Sequence, residues 1–407
     1  MKLFQEYRGL KKESYILVLG RLVTSMGSMV WPMMLLILRV KMNMAPSTIA
    51  ILIMAAGLAA IPMNLIGGKL ADHFTRKNII IVCDTISVAG FLFCAFHALD
   101  VTALTVFIIA GLLQGMEGPS YGALVADLVS SKDRERAYSL NYLGNNIGLI
   151  MAPTIGGLLF AKHLPLLFLI NAIAIATSTI IIAVGLRNVK NTDSMQEETY
   201  EKPAQGSTLM VLKKQPILFL YLLISGLSFA VYNQYMYLMP LDLAQFHGEQ
   251  GAFLFGTMSS LNCLVVVVFT PWITRRFAHM HEPSKMILGQ LCEFAGFVLF
   301  VAGGAKPLPS GLAIVVFTWG EIFLTLSADP YLTRRIPSSH RGRLLGVSVL
   351  VTTLLYAMIQ PLVGFLYDGV GSFGAWLAVL SLLLLAIGLT LFLRRQDRHA
   401  YPEFYRN

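Results

Sequence analysis

The chain has 407 residues, of which 56% are apolar and only 13% charged, about half the charged share of an ordinary soluble domain. With a mean hydropathy of +0.67, this excludes a soluble enzyme, a disordered protein and a disulfide scaffold, and makes lipid the main solvent of the chain. The net charge of +9 does not point to nucleic acid, because the basic residues are scattered over many short loops and form no single stripe.

A helix needs about 20 apolar residues to cross a bilayer. Runs of that length fall at 14–39, 47–71, 78–97, 101–129, 136–161, 164–186, 216–243, 250–274, 284–304, 308–333, 342–367 and 371–394, here numbered helices 1 to 12. Helix is the expected form because an isolated open strand would leave backbone groups unpaired in lipid, and the alternation of a barrel is absent. The charged segment before helix 1 leads into a run too long for a signal sequence, so helix 1 is expected to remain in the mature protein. Cys83, Cys94, Cys263 and Cys292 all lie inside apolar runs, with neither disulfide nor zinc spacing.

In chain order, helix 1 carries Arg21 and then Trp31-Pro32-Met33-Met34. Helices 2 and 3 are joined by Gly68-Lys69-Leu70-Ala71-Asp72-His73-Phe74-Thr75-Arg76-Lys77, and Asp84 follows near the same end of helix 3. Helix 4 contains Glu117 and closes on Asp127; a carboxylate at a helix C-terminus is opposed by the dipole, so Asp72 and Asp127 both need positive partners. Helix 5 presents Tyr142, Asn145 and Asn146 on one face, then Gly148, Pro153, Gly156 and Gly157, small and bending residues that permit close helix packing. The polar stretch 188–215 reads as a flexible linker between six helices and six. Helix 7 carries Tyr232-Asn233-Gln234-Tyr235, and helix 10 carries Trp319-Gly320-Glu321, then Asp329 before Pro330, where a local break is expected. Ser130-Ser131, Pro153 and Gly156 reappear 208 residues later as Ser338-Ser339, Pro361 and Gly364, which suggests two related halves, 1–187 and 216–407.

Lys and Arg set the orientation. With the N-terminus in the cytoplasm, 26 of the 31 basic residues fall on the cytoplasmic side and four on the other, with Arg21 inside helix 1; both termini are therefore expected in the cytoplasm. An ionised side chain at the bilayer centre costs at least about 2.5–3.5 kcal/mol. Arg21, Glu117, Glu293 and Glu321 within the spans should therefore face a cavity or a partner. Glu117 lies about 16 Å deep by helical rise, within reach of Arg21. Glu321 has no basic residue at its depth, which makes it the leading proton carrier, with Asp329 second in helix 10 and Glu117 the candidate in the first half. Trp31, Tyr142, Asn145, Asn146, Tyr232, Asn233, Gln234, Tyr235 and Trp319 are the expected lining of a substrate cavity. Mixed aromatic and amide walls, with 19 Met in the chain, suit amphipathic molecules better than sugars.

The segment Gly68–Lys77 resembles the loop motif G-x-L-A-D-x-x-G-R-K of the major facilitator superfamily, with Thr75 in place of a Gly. The run Gly148–Gly157 is similar to the helix-5 motif of its drug/proton antiporters, with Ala152 for Gly; in helix 4, Gln114-Gly115 matches a third motif whose arginine is replaced by Gly111. The resemblance implies an all-α fold of two pseudo-symmetric six-helix bundles and secondary transport in a bacterial cytoplasmic membrane. Export of a small amphipathic substrate coupled to protons is the leading expectation; an importer or a lipid or metabolite carrier of the same fold is the alternative. It also implies that Gly68, Asp72, Arg76, Lys77 and Asp127 form a cytoplasmic gate, with Arg76 the partner of Asp127. Helices 3, 6, 9 and 12 would lie away from the cavity, which makes Asp84 and Glu293 structural. No nucleotide loop, nucleophile motif or metal spacing is present in the sequence. The expected partners are substrate, protons and lipid, with no cofactor beyond the proton gradient, and the protein is expected to act as a monomer.

Overall fold

A computed structural model of the chain describes residues 9–129, 134–187, 216–335 and 341–405. Helix is the only regular structure among them, and twelve helices are long and apolar enough to cross a membrane. They are labelled α1 (Lys12–Lys41), α2 (Pro46–His73), α3 (Arg76–Phe96), α4 (Val101–Asp127), α5 (Arg134–Leu149 with Ala152–Phe160) and α6 (Leu164–Gly185). The second six are α7 (Pro216–His247), α8 (Gln250–Arg276), α9 (Glu282–Gly303), α10 (Pro307–Arg335), α11 (Arg341–Val370) and α12 (Ser372–Ala400).

Three helices are discontinuous. In α1 the α-helix stops at Gly27, resumes at Val30 and ends in a π turn, Ile37–Lys41. In α5 it breaks after Leu149 and restarts at Ala152, with Pro153 in the first turn, where its missing N–H costs nothing. In α7 a 3₁₀ turn, Asn233–Met236, separates Pro216–Tyr232 from Leu238–His247. The break expected at Asp329-Pro330 is not there: α10 runs through Pro330 without interruption, as membrane helices can when neighbouring groups satisfy the freed backbone. Helix α12 outlasts its apolar run by a turn and a half, because Asp397, past that run, is buried against α10.

The chain divides into two compact units. Unit 1 is Met1–Asn43, Ala56–Glu198 and Leu243–Leu264; unit 2 is Met44–Ala55, Thr199–Asp242 and Val265–Asn407. Each unit therefore takes one stretch from the other half of the sequence. In unit 1, α5 and α8 approach backbone to backbone: a Cβ on Gly157 would stand 2.5 Å from the Ala252 carbonyl, and Thr154 donates to Ser260 Oγ at 2.7 Å. In unit 2, the start of α2 lies on α7 and α11. There Tyr237 donates to the Pro46 carbonyl at 2.6 Å and the Ser47 amide to Asp368 at 2.9 Å, while Gly364 leaves room for Ala50.

Helix association in lipid gains little from burying hydrocarbon and depends on close packing. The contact of α9 with α10 illustrates this: a Cβ on Gly320 would lie 2.6 Å from the Gly289 carbonyl and 2.8 Å from Glu293 Cγ. Small residues at this crossing bring Glu293 against α10.

Candidate functional site: two buried carboxyl pairs

In unit 1, α3 supplies Asp84 and α4 supplies Glu117. The two carboxyl groups lie within electrostatic reach of each other. Two acids held that close do not both ionise readily, so the arrangement can hold a proton between them. Thr179 of α6 donates to Asp84 Oδ2 at 2.6 Å, and Glu117 Oε2 is buried without a hydrogen-bond partner. Arg21 is within electrostatic reach of both acids, its guanidinium 5.7 Å from the centre of the Tyr121 ring. The expected direct ion pair of Arg21 with Glu117 does not form: Glu117 lies near Asp84, and Arg21 supplies a positive field to both.

In unit 2, the corresponding helices α9 and α10 supply Glu293 and Glu321. Both line a cavity of about 280 Å³, whose remaining walls come from α7, α9 and α10 and include Tyr221, Ser228, Phe229 and Tyr232. The Tyr232 hydroxyl lies within electrostatic reach of Glu321, and its ring stacks on Phe317 at 5.5 Å. Glu293 is fully buried, and neither of its carboxylate oxygens has a hydrogen-bond partner. One helical turn away, Gln290 is also fully buried and donates to Ser228 Oγ at 2.9 Å.

The other expected lining residues are dispersed. Asn145 accepts a hydrogen bond from Ser25 at 2.8 Å, and Asn146 is bonded to the Tyr142 carbonyl of its own helix, while Tyr142 is half exposed. Asn233 is tied to the Phe229 carbonyl. Gln234 is fully buried and donates to Gln360 at 3.1 Å, and Tyr235 packs on Phe317. Trp319 faces away from the carboxyl cavity, packing on Phe269 and Trp272. Trp31 packs on Phe107 at 4.8 Å and covers Gly111, the position where the family motif has arginine. The side chains of Asp72, Asp127 and Asp329, the linker 188–215 and both Ser-Ser pairs lie outside the described residues. Of the remaining gate residues, Lys77 caps α6 at the Leu186 carbonyl and Gly68 is in open space.

Asp84 and Glu293, expected to be structural, are the residues that sequence reasoning missed. The signal that could have found them is the 208-residue register: it carries Asp84 to the neighbour of Glu293, and Glu117 to one turn from Glu321.

Comparison with known proteins supplies the context for this geometry. A family model described as Major Facilitator Superfamily matches residues 17–354. The chain is 26% identical over 345 residues to the uncharacterized MFS-type transporter YqjV of Bacillus subtilis, covering 81% of this chain and 79% of that one. It is 22% identical over 349 residues to a Na(+), Li(+), K(+)/H(+) antiporter of Planococcus maritimus (76% and 79% covered). To Multidrug resistance protein 2 of Bacillus subtilis it is 24% identical over 356 residues (80% and 82%). Among solved structures, a POT family transporter in complex with a thioalcohol-conjugated peptide superposes with a TM-score of 0.78, covering 98% of this chain and all of that one. At 12% identity, that likeness is one of fold.

Proposed function

The chain belongs to the major facilitator superfamily, and on that premise we propose that it exports amphipathic small molecules in exchange for protons, by alternating access. The working halves are 1–187 and 216–407, and 188–215 is the strap between them. The site is the bacterial cytoplasmic membrane, with both termini in the cytoplasm and a single chain as the working unit. Gly68, Asp72, Arg76, Lys77 and Asp127 act as the cytoplasmic gate, and Gly148, Pro153, Gly156 and Gly157 give α5 its close packing.

The observation that carries this reading is the buried acidic equipment. Glu321, beside Tyr232 in an apolar cavity, is suited to exchange a proton for a substrate, and the Asp84–Glu117 pair can hold a second proton. The multidrug resistance relative supports an amphipathic substrate. The alkali-cation/proton antiporter relative favours a second reading, in which a metal cation takes the place of the organic molecule.

Purified protein in liposomes with an imposed pH gradient tests both. Flux of a lipophilic dye should accelerate with the gradient in wild type and lose that acceleration in Glu321→Gln and in Glu117→Gln. Full gradient-driven flux in Glu321→Gln would remove the proton role assigned to that residue. Acceleration by alkali cations alone would favour the second reading.

A further inference from the structure

The end of α12 is a run of mixed charge, Arg394-Arg395-Gln396-Asp397-Arg398-His399, which the fold sorts by face. Asp397 turns inward and is fully buried, held by Arg335, Tyr331 and Tyr405. Positions 391, 394, 395, 398 and 399 stand three and four apart and share one outer face. There Leu391, Arg394, Arg395, Arg398 and His399, all exposed, line a recess of about 440 Å³. The single acid of the run is taken on the inner face, so the outer face is basic throughout. Among the described residues no carboxylate pairs with Arg394, Arg395 or Arg398. The arginines at the end of α10 differ in this respect: Arg334 has Glu282 and Arg335 has Asp397.

From this sorting we infer that the outer face of α12 binds an anionic phospholipid, its phosphate held by Arg394, Arg395 and Arg398 and an acyl chain lying along the apolar stretch above them. Arg394 and Arg398 are one turn apart, as are Arg395 and His399, a spacing at which like charges repel. The carbonyls at the helix C-terminus and the Tyr405 ring beneath Arg398 offset only part of that repulsion; a phosphate between the guanidinium groups removes it, and their fork of donors matches its oxygens. The rest of the face argues for a lipid and against a soluble phosphate. Leu377, Leu384 and Leu391, each about half exposed, lead down to Arg398 at intervals of seven residues. Between the last two leucines, nothing stands within 4 Å of the place a Cβ on Gly388 would take, which leaves a groove for a chain. Basic residues immediately beyond an apolar span also stand at headgroup level, where anionic lipids concentrate. The site depends on the chain spanning a membrane and not on what it transports.

The probe is radiolabelled phosphatidylglycerol in detergent micelles, titrated onto the immobilised full chain, with labelled phosphatidylcholine for comparison. Wild type should bind phosphatidylglycerol saturably and in preference to phosphatidylcholine. The double variant Arg394→Gln, Arg398→Gln should weaken phosphatidylglycerol binding by about thirtyfold, on a scale of roughly fivefold per arginine, and leave phosphatidylcholine unchanged. Arg275→Gln with Arg276→Gln makes the same change of net charge at the exposed end of α8 and should leave both lipids unaffected. An equal loss in the two double variants would show a general effect of surface charge and overturn the site. Equal retention of the two lipids by wild type would overturn it as well, and displacement of the probe by equimolar glycerol phosphate would overturn the lipid in favour of a soluble anion. Wild type alone supplies a further test. Its affinity for phosphatidylglycerol should fall steeply between about 0.1 and about 1 M salt, as the screening length shrinks from about 10 to about 3 Å; an affinity indifferent to salt overturns the inference even if the variants fail to fold.

Discussion

At the scale of single residues, local clashes explain departures from the family pattern that conservation-style reading cannot. Gly111 stands where the helix-4 motif has arginine, and the cause is on the neighbouring helix: any Cβ there would run into the Trp31 ring, which is held on Phe107. The arginine was not merely lost; its space is filled. Gly111→Ala should therefore destabilise the protein by about 1–3 kcal/mol, the usual cost of overpacking, measured as a lower thermal midpoint in detergent. Trp31→Phe should recover most of that loss, whereas a harmless Gly111→Ala would mean that the ring has free room to move.

At the scale of elements, one buried charge cluster joins the ends of α9, α10 and α12. Arg335 forms two bonds of 2.6 Å with Asp397, both side chains fully buried. Tyr331 and Tyr405 donate to the same carboxylate at 3.0 and 2.7 Å, and Glu282 takes Arg334. Burial, and then the bond to Asp397, push the Tyr405 hydroxyl above its ordinary range, so it remains a donor at any physiological pH. The cluster explains why α12 continues past its apolar run. Breaking a buried pair strands a charge, so Asp397→Asn should cost about 3–5 kcal/mol in thermal unfolding. The apolar double replacement Arg335→Met with Asp397→Leu should cost much less, since it removes both desolvation penalties along with the attraction. Equal losses in the two variants would refute this account.

At the scale of the whole molecule, one ion pair joins two positions that the sequence spacing relates to each other. Lys41, at the end of α1, pairs with Glu249, just after α7, and these positions are 208 residues apart, the same interval as Pro153 to Pro361. Both belong to unit 1, which recruits Leu243–Leu264 from the second half of the sequence. Lys41 also reaches the Ala161 carbonyl at 3.2 Å and lies over the Phe160 ring, so the pair holds the end of α5 as well. Exposed pairs are worth roughly 0.2–1 kcal/mol. Lys41→Glu and Glu249→Lys should each lower stability by about that much, and the double reversal should restore it. Strictly additive losses in that cycle would show that the pair contributes nothing.

Most of the fold was legible in the sequence. Apolar runs of bilayer length fixed twelve helices, because in lipid the backbone must satisfy itself within each segment; the loop and helix-5 motifs pointed to the family, and the spacing of Pro and Gly hinted at the repeat. The acidic residues were also visible, because a charge in a hydrocarbon run stands out. Their pairing was not. Glu117 lies near Asp84 and forms no ion pair with Arg21, Glu293 lines a cavity although its helix is expected to lie away from one, and α10 passes Pro330 unbroken. Each of these outcomes depends on which face a helix turns to its neighbours. Nearly uniform apolar helices carry no periodicity that sets this rotation, whereas tertiary packing does so through close approaches such as Gly289 against Gly320.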